Sequence, residues 1–145
     1  MKLVNTYARG RAIMAASDTL LSRFGHKPTT LKFVQSVVET LEERQEDGRV
    51  EWSALFDLAI SGASAGFSGY IYYSETVAVF DKYNDAIFDI AFAYCEDNGG
   101  KPSGVLGGDA ATVSQFKNNA VWFAVEAVCH ALTQEVDERG EVKGK

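Results

Sequence analysis

Apolar residues recur at helical spacing along almost all of this chain, and that periodicity restricts the fold more than any other feature. Ile13, Ser17, Leu20, Leu21 and Phe24 mark a first helix, closed by Gly25 and Pro28. Leu31, Val34, Val37, Val38 and Leu41 mark a second, with Thr29 or Thr30 as its N-cap and a polar end, "EERQEDGR", closing at Gly48. Trp52, Leu55, Phe56, Ala59 and Ile60 give a third. Ser74 caps a fourth, roughly 75–96, carrying Val79, Phe80, Tyr83, Ile87, Ile90 and Tyr94. "EDNGGKPSGVLGGD" then reads as the one clear loop, with five glycines and a proline. Asp109 caps a fifth helix running to about 136, in which "AVWFAVEAVCHAL" is apolar nearly all round, as a central helix must be.

The expected fold is a mainly α single domain over residues 1–145, a bundle of about five helices with a mobile tail from about 137. One short extended Gly/Tyr-rich segment, residues 69–73, interrupts it, with Lys2–Thr6 as the candidate partner strand. A chain of 145 residues is long enough to bury roughly 70% of its unfolded surface in one core. No apolar run reaches the roughly 18 residues of a membrane span. The N-terminal stretch has no compact apolar block before a cleavage site, so it reads as structure rather than a leader. Cys95 and Cys129 make no disulfide framework, which favours a reduced cytoplasm.

Residues 61–69 are all small apart from Phe67, and Tyr70, Ile71, Tyr72 and Tyr73 follow. The segment lacks the Gly-Lys-Ser/Thr ending of a phosphate loop. Gly62-Ala63-Ser64-Ala65-Gly66 does match the pattern of a hydrolase nucleophile turn, but that turn requires a buried strand before it, and residues 52–60 read as helix. The remaining reading is geometric: glycines remove side chains where another element passes close. If the tyrosines lie on an extended segment they alternate faces, and at least one of Tyr70, Tyr72 and Tyr73 is presented to a partner.

Glu126 and His130 share a helix face beside Cys129, but zinc needs four ligands at short fixed spacing, and no cofactor or metal is expected. The charge distribution is more informative. Residues 1–32 hold six Lys or Arg against Asp18 alone, whereas residues 33–97 hold thirteen acids against Arg44, Arg49 and Lys82. Asp81, Asp85 and Asp89 repeat at i, i+4, i+8 on the fourth helix, and Glu39, Glu42, Glu43, Glu46 and Asp47 lie on or after the second. Such a surface opposes nucleic-acid binding and suits a basic partner or simple solubility.

Residues 66–87, "GFSGYIYYSETVAVFDKYNDAI", resemble a family of small phage and prophage proteins of uncharacterised function. In these a small-residue segment leads into Ser-Gly-x-Ile-Tyr-Tyr-Ser/Thr-Asp/Glu-Thr and then a helix. Ser68, Gly69, Ile71, Tyr72, Tyr73, Ser74, Glu75, Thr76, Phe80, Asp81 and Lys82 carry the match. The resemblance implies a phage origin and no catalytic residues. Together with the acidic block it leads to the expectation of a non-enzymatic anti-defence protein, an anti-CRISPR or anti-restriction inhibitor in the host cytoplasm. Its partner would be a protein or ribonucleoprotein complex with a basic surface, engaged through the eight acidic residues named above and the three tyrosines; no direct nucleic-acid or membrane partner is expected, and a homo-oligomer stays open. A small ligand-binding domain or enzyme using the Gly/Tyr segment, and a virion accessory protein, are the alternatives.

Overall fold

The computed structural model describes residues 6–24, 31–45, 49–65, 74–107 and 119–135. Among them are six helices: α1 (Thr6–Phe24), α2 (Leu31–Glu43), α3 (Trp52–Ala65), α4 (Ser74–Asn98), α5 (Pro102–Leu106) and α6 (Ala120–Glu135). The mainly α bundle is as expected. The extended segment at 69–73 lies outside the described residues. So do the tail from 137 and most of the candidate strand, although Thr6 itself is helical.

The centre of the bundle is α6. Every residue from Ala120 to Val125 is buried, as are Ala127, Val128, Cys129 and Leu132, so the helix has no solvated face over its first turns. It packs chiefly against α3 and α1. The face that α1 offers is narrow: Ala8, Ala12 and Ala16, with Ile13 and Leu20, bring the two backbones close. Ser17 sits in the same row, and its hydroxyl donates to the Ile13 carbonyl at 2.8 Å, which makes a buried serine tolerable.

The buried face of α3 is Trp52, Leu55, Leu58, Ala59, Gly62 and Ala63. Ile60, expected in the core, is exposed and Phe56 is half-buried. The reason is the length of the helix. It runs on through the small residues to Ala65, and Gly62 and Ala63 carry the contact face along the line set by Leu55, Leu58 and Ala59. Gly62 meets the flat face of the fully buried Trp122: a Cβ there would lie 2.5 Å from indole Cδ2 and 2.6 Å from Cε2. The small-residue stretch is, at this point, a seat for a tryptophan. Asn119, fully buried at the start of α6, donates from Nδ2 to the Ala63 carbonyl at 3.0 Å and joins the end of α3 to α6.

The expected loop after α4 is partly helical. The helix ends where Gly99 and Gly100 take positive φ, and the Gly99 N–H bonds the Cys95 carbonyl at 2.7 Å. Pro102 then starts the single turn of α5. Val105 and Leu106 are buried, and the Leu106 carbonyl accepts from Trp122 Nε1 at 2.6 Å. An apolar pair with somewhere to dock outweighs the glycine-rich composition. The described part of the last expected helix begins at Ala120; Asp109, its expected cap, lies outside the described residues.

Candidate functional site

The outward face of α4 follows from its inward one. Tyr83, Ala86, Ile87, Ile90, Ala91 and Tyr94 are buried, so at 100° per residue Asp81, Asp85, Phe92 and Glu96 stand on the opposite side, and all four are exposed. No ion pair among the described residues engages Asp81, Asp85 or Glu96. Asp89 lies at the edge of this face and pairs with Arg44, just beyond α2. That contact and the edge-on rings of Phe33 and Tyr94, 5.3 Å between centroids, hold α2 beside α4. Phe92 is 57% exposed and sits among the carboxylates. The sequence reading missed it; the signal was available, since Phe92 lies seven residues after Asp85 and three after Asp89.

The acidic residues of α2 divide. Glu39 and Glu43 are exposed. Glu42 is only 2% exposed and is turned inward, where Arg9 of α1 grips it with Nη2–Oε1 at 2.7 Å and Nε–Oε2 at 3.2 Å. It holds the bundle together and is not presented to a partner, a correction to its expected role. Glu46, Asp47, Tyr70, Tyr72 and Tyr73 lie outside the described residues. Two arginines of the basic N-terminal end also make internal ion pairs. Besides Arg9, Arg11 makes a two-pronged contact with Glu135 of α6, Nε at 3.1 Å and Nη2 at 2.6 Å from Oε2.

Glu51 forms a second polar node at the start of α3. Its carbonyl accepts the Leu55 N–H at 2.9 Å, as an N-cap carbonyl does. The hydroxyl of buried Tyr83 accepts its N–H at 3.0 Å and donates to its Oε2 at 3.1 Å, while Lys82 Nζ donates to the same oxygen at 2.7 Å. The Lys82 bond, helped by Tyr83 and opposed by burial, holds the Glu51 carboxyl below its usual 4.5. Burial pushes the Tyr83 hydroxyl well above its usual 10. A lowered carboxyl pKa stabilises the fold above about pH 4.5 and loses that contribution as pH falls through the folded value; a raised phenol pKa does the same in reverse above about pH 10. Urea melts from pH 3 to 8 should therefore place Glu51→Gln below the native chain by less than about 1 kcal/mol at neutral pH, because the pair is exposed, with the gap narrowing as pH falls below about 4.5. A constant gap across that range would contradict the assignment.

Gly62, Ala63 and Ser64 lie within α3, not on a strand-to-helix turn. Cys129 is fully buried, and burial raises both its thiol and that of Cys95, the opposite of an activated nucleophile. His130 is exposed with its ring edge-on to Phe56, 5.5 Å between centroids. No group of three or more His, Cys, Asp or Glu among the described residues is placed to hold a metal ion. A half-open cleft of about 500 Å³ lies between α1, α3 and α6, floored by Leu20, Phe56, Phe123 and Ala127. Among the described residues no helix is long and apolar enough to cross a membrane.

A family model described as a domain of unknown function, DUF7222, matches residues 30–138, well over half of the chain. The chain belongs to the DUF7222 family. No curated protein and no solved structure matches it. The DUF7222 stretch runs from α2 to α6 and so contains the whole acidic face of α4, whereas α1 precedes it.

Proposed function

We propose that this chain is a phage-encoded, non-enzymatic inhibitor that occupies a basic nucleic-acid-binding surface of a host defence complex, of the CRISPR-Cas kind, in the host cytoplasm. The observation that carries this reading is the outward face of α4, where Asp81, Asp85 and Glu96 are exposed without an ion-pair partner among the described residues. Unpaired carboxylates in a row steer a basic partner toward one face of the molecule and raise its association rate. Glu39 and Glu43 on α2 add to the negative field. The phage origin rests on the resemblance of residues 66–87.

Asp81→Asn with Asp85→Asn is the sharper test than a change at Asp89, which is tied to Arg44. The double variant removes two charges and a like-charge i, i+4 pair, so its stability should hold or rise by a few tenths of a kcal/mol. In cells carrying an active CRISPR-Cas system, the native chain should restore plaque formation by a targeted phage, and the double variant should not. In binding to the purified complex, the association rate should fall about tenfold at low salt, with a smaller change in dissociation. If the native chain leaves both CRISPR interference and restriction intact, the proposal fails. If the variant inhibits as well as the native chain, the α4 face is a solvated surface and the interface lies elsewhere.

A further inference from the structure

We propose that the outward face of α1 is the interface of a symmetric homodimer, in which two copies of the helix pair antiparallel about Met14. The helix turns Ala8, Ala12, Ile13, Ala16, Ser17 and Leu20 inward. The opposite face of a surface helix is ordinarily polar. Here it carries Tyr7, Met14 and Leu21, which are 70%, 53% and 36% exposed. They are spaced seven residues apart, so they form one nearly straight seam along two turns per step. Gly10 lies at the edge of this seam, and a Cβ there would meet nothing within 4 Å, so a second backbone can approach at that point. Arg11, Asp18 and Gly10 border a shallow hollow with Tyr7 and Met14.

The occupant is a second copy because the pattern complements itself. A two-fold axis at Met14 sets Met14 against itself and Tyr7 against Leu21 of the other copy. It also brings Arg11 alongside Asp18 of the other copy, three residues before the axis and four after it, and symmetry makes that pair twice. Asp18 is exposed and has no ion-pair partner among the described residues. Arg11 is already held by Glu135 and lies over the Tyr7 ring, 4.4 Å from its centroid. The two side chains at the end of the seam are thereby positioned before a partner arrives, which lowers the entropic cost of docking. One helix pair buries less than the roughly 1,200 Å² of a standard interface, so the dimer forms and dissociates readily rather than permanently.

Sedimentation velocity of the full chain from about 5 to 500 µM should show a monomer passing to a dimer as concentration rises, the behaviour of a low-area interface. Met14→Asp places two like charges on the axis and should leave a monomer at every concentration. At about 5 µM, where the native chain is monomeric, its melting temperature should match the native one, since Met14 is exposed and not part of the core. Asp18→Lys should weaken the dimer in the same way by facing Arg11. Because a residue on a two-fold axis faces itself, Met14→Cys should form a covalent dimer under mild oxidation much faster than Ile60→Cys, which is exposed on α3. A native chain that stays monomeric throughout, a dimer that survives Met14→Asp, or equal crosslinking of the two cysteine variants would each overturn the proposal.

Discussion

Gly62→Ala should destabilise the protein by about 1–3 kcal/mol, even though alanine is the better helix former by up to about 1 kcal/mol. The added methyl would lie 2.5 Å from Trp122 Cδ2, with Cε2 and Cγ also inside 3 Å. These are atoms of a ring, not the free end of a flexible chain. The ring is fully buried and is held by its Nε1–H bond to the Leu106 carbonyl, so it has no direction in which to yield. Gly62→Val should be worse, and an unfolded product would be unsurprising. Trp122→Ala removes the other half of the contact and leaves the Leu106 carbonyl unpaired, at a cost of about 3–5 kcal/mol for the lost side chain. For a chain of this size that corresponds to about 6–20 °C in melting temperature. The decisive measurement is a double-mutant cycle. Gly62→Ala should cost much less in a Trp122→Leu background, where the methyl finds space, than in the native chain. If the two costs are equal, the glycine is there for another reason.

The second large effect is expected at the pair that ties α1 to α2. Arg9→Leu leaves the Glu42 carboxylate, 2% exposed, without the guanidinium that grips both its oxygens, and should cost about 3–5 kcal/mol. Arg9→Leu with Glu42→Leu should recover most of that loss, because two apolar side chains of similar volume replace the buried carboxylate together with the guanidinium that grips it. Urea unfolding of the two single variants and the double gives the coupling directly. A double variant as unstable as Arg9→Leu would mean that the pair is incidental, and that the length of Arg9 is what the site requires. The result also bears on the charge distribution. The positive excess of the N-terminal stretch reads as a surface property in the sequence, but Arg9 and Arg11 also hold α1 against α2 and α6.

The arithmetic of periodicity made the helices legible, and with them the inward face of α4 and the central place of α6. It was least reliable where one side chain decided the matter. Ile60 has the spacing of a core residue, yet the run of small residues after it moves the contact face of α3 by part of a turn and leaves Leu58 inside instead. The glycines and proline after α4 predicted a loop. Val105 and Leu106 instead fold as a turn of helix because they reach a buried site at Trp122. Glu42 and Glu43 are adjacent and chemically alike, and one is a buried ion pair while the other faces water.

The sequence by itself determined the class of fold and the position of the acidic row on α4, because both depend on local repeats of 3.6 residues that any window of the chain contains. Only the tertiary structure decided which charges are available. A carboxylate is free or spent according to what lies across from it, and Arg9 is thirty-three positions from Glu42, Arg44 forty-five from Asp89. It likewise decided why Gly62 is a glycine: the indole that needs its flat surface stands sixty residues further along the chain. Periodicity records which way a side chain points, and a pairing between distant segments leaves no trace in it.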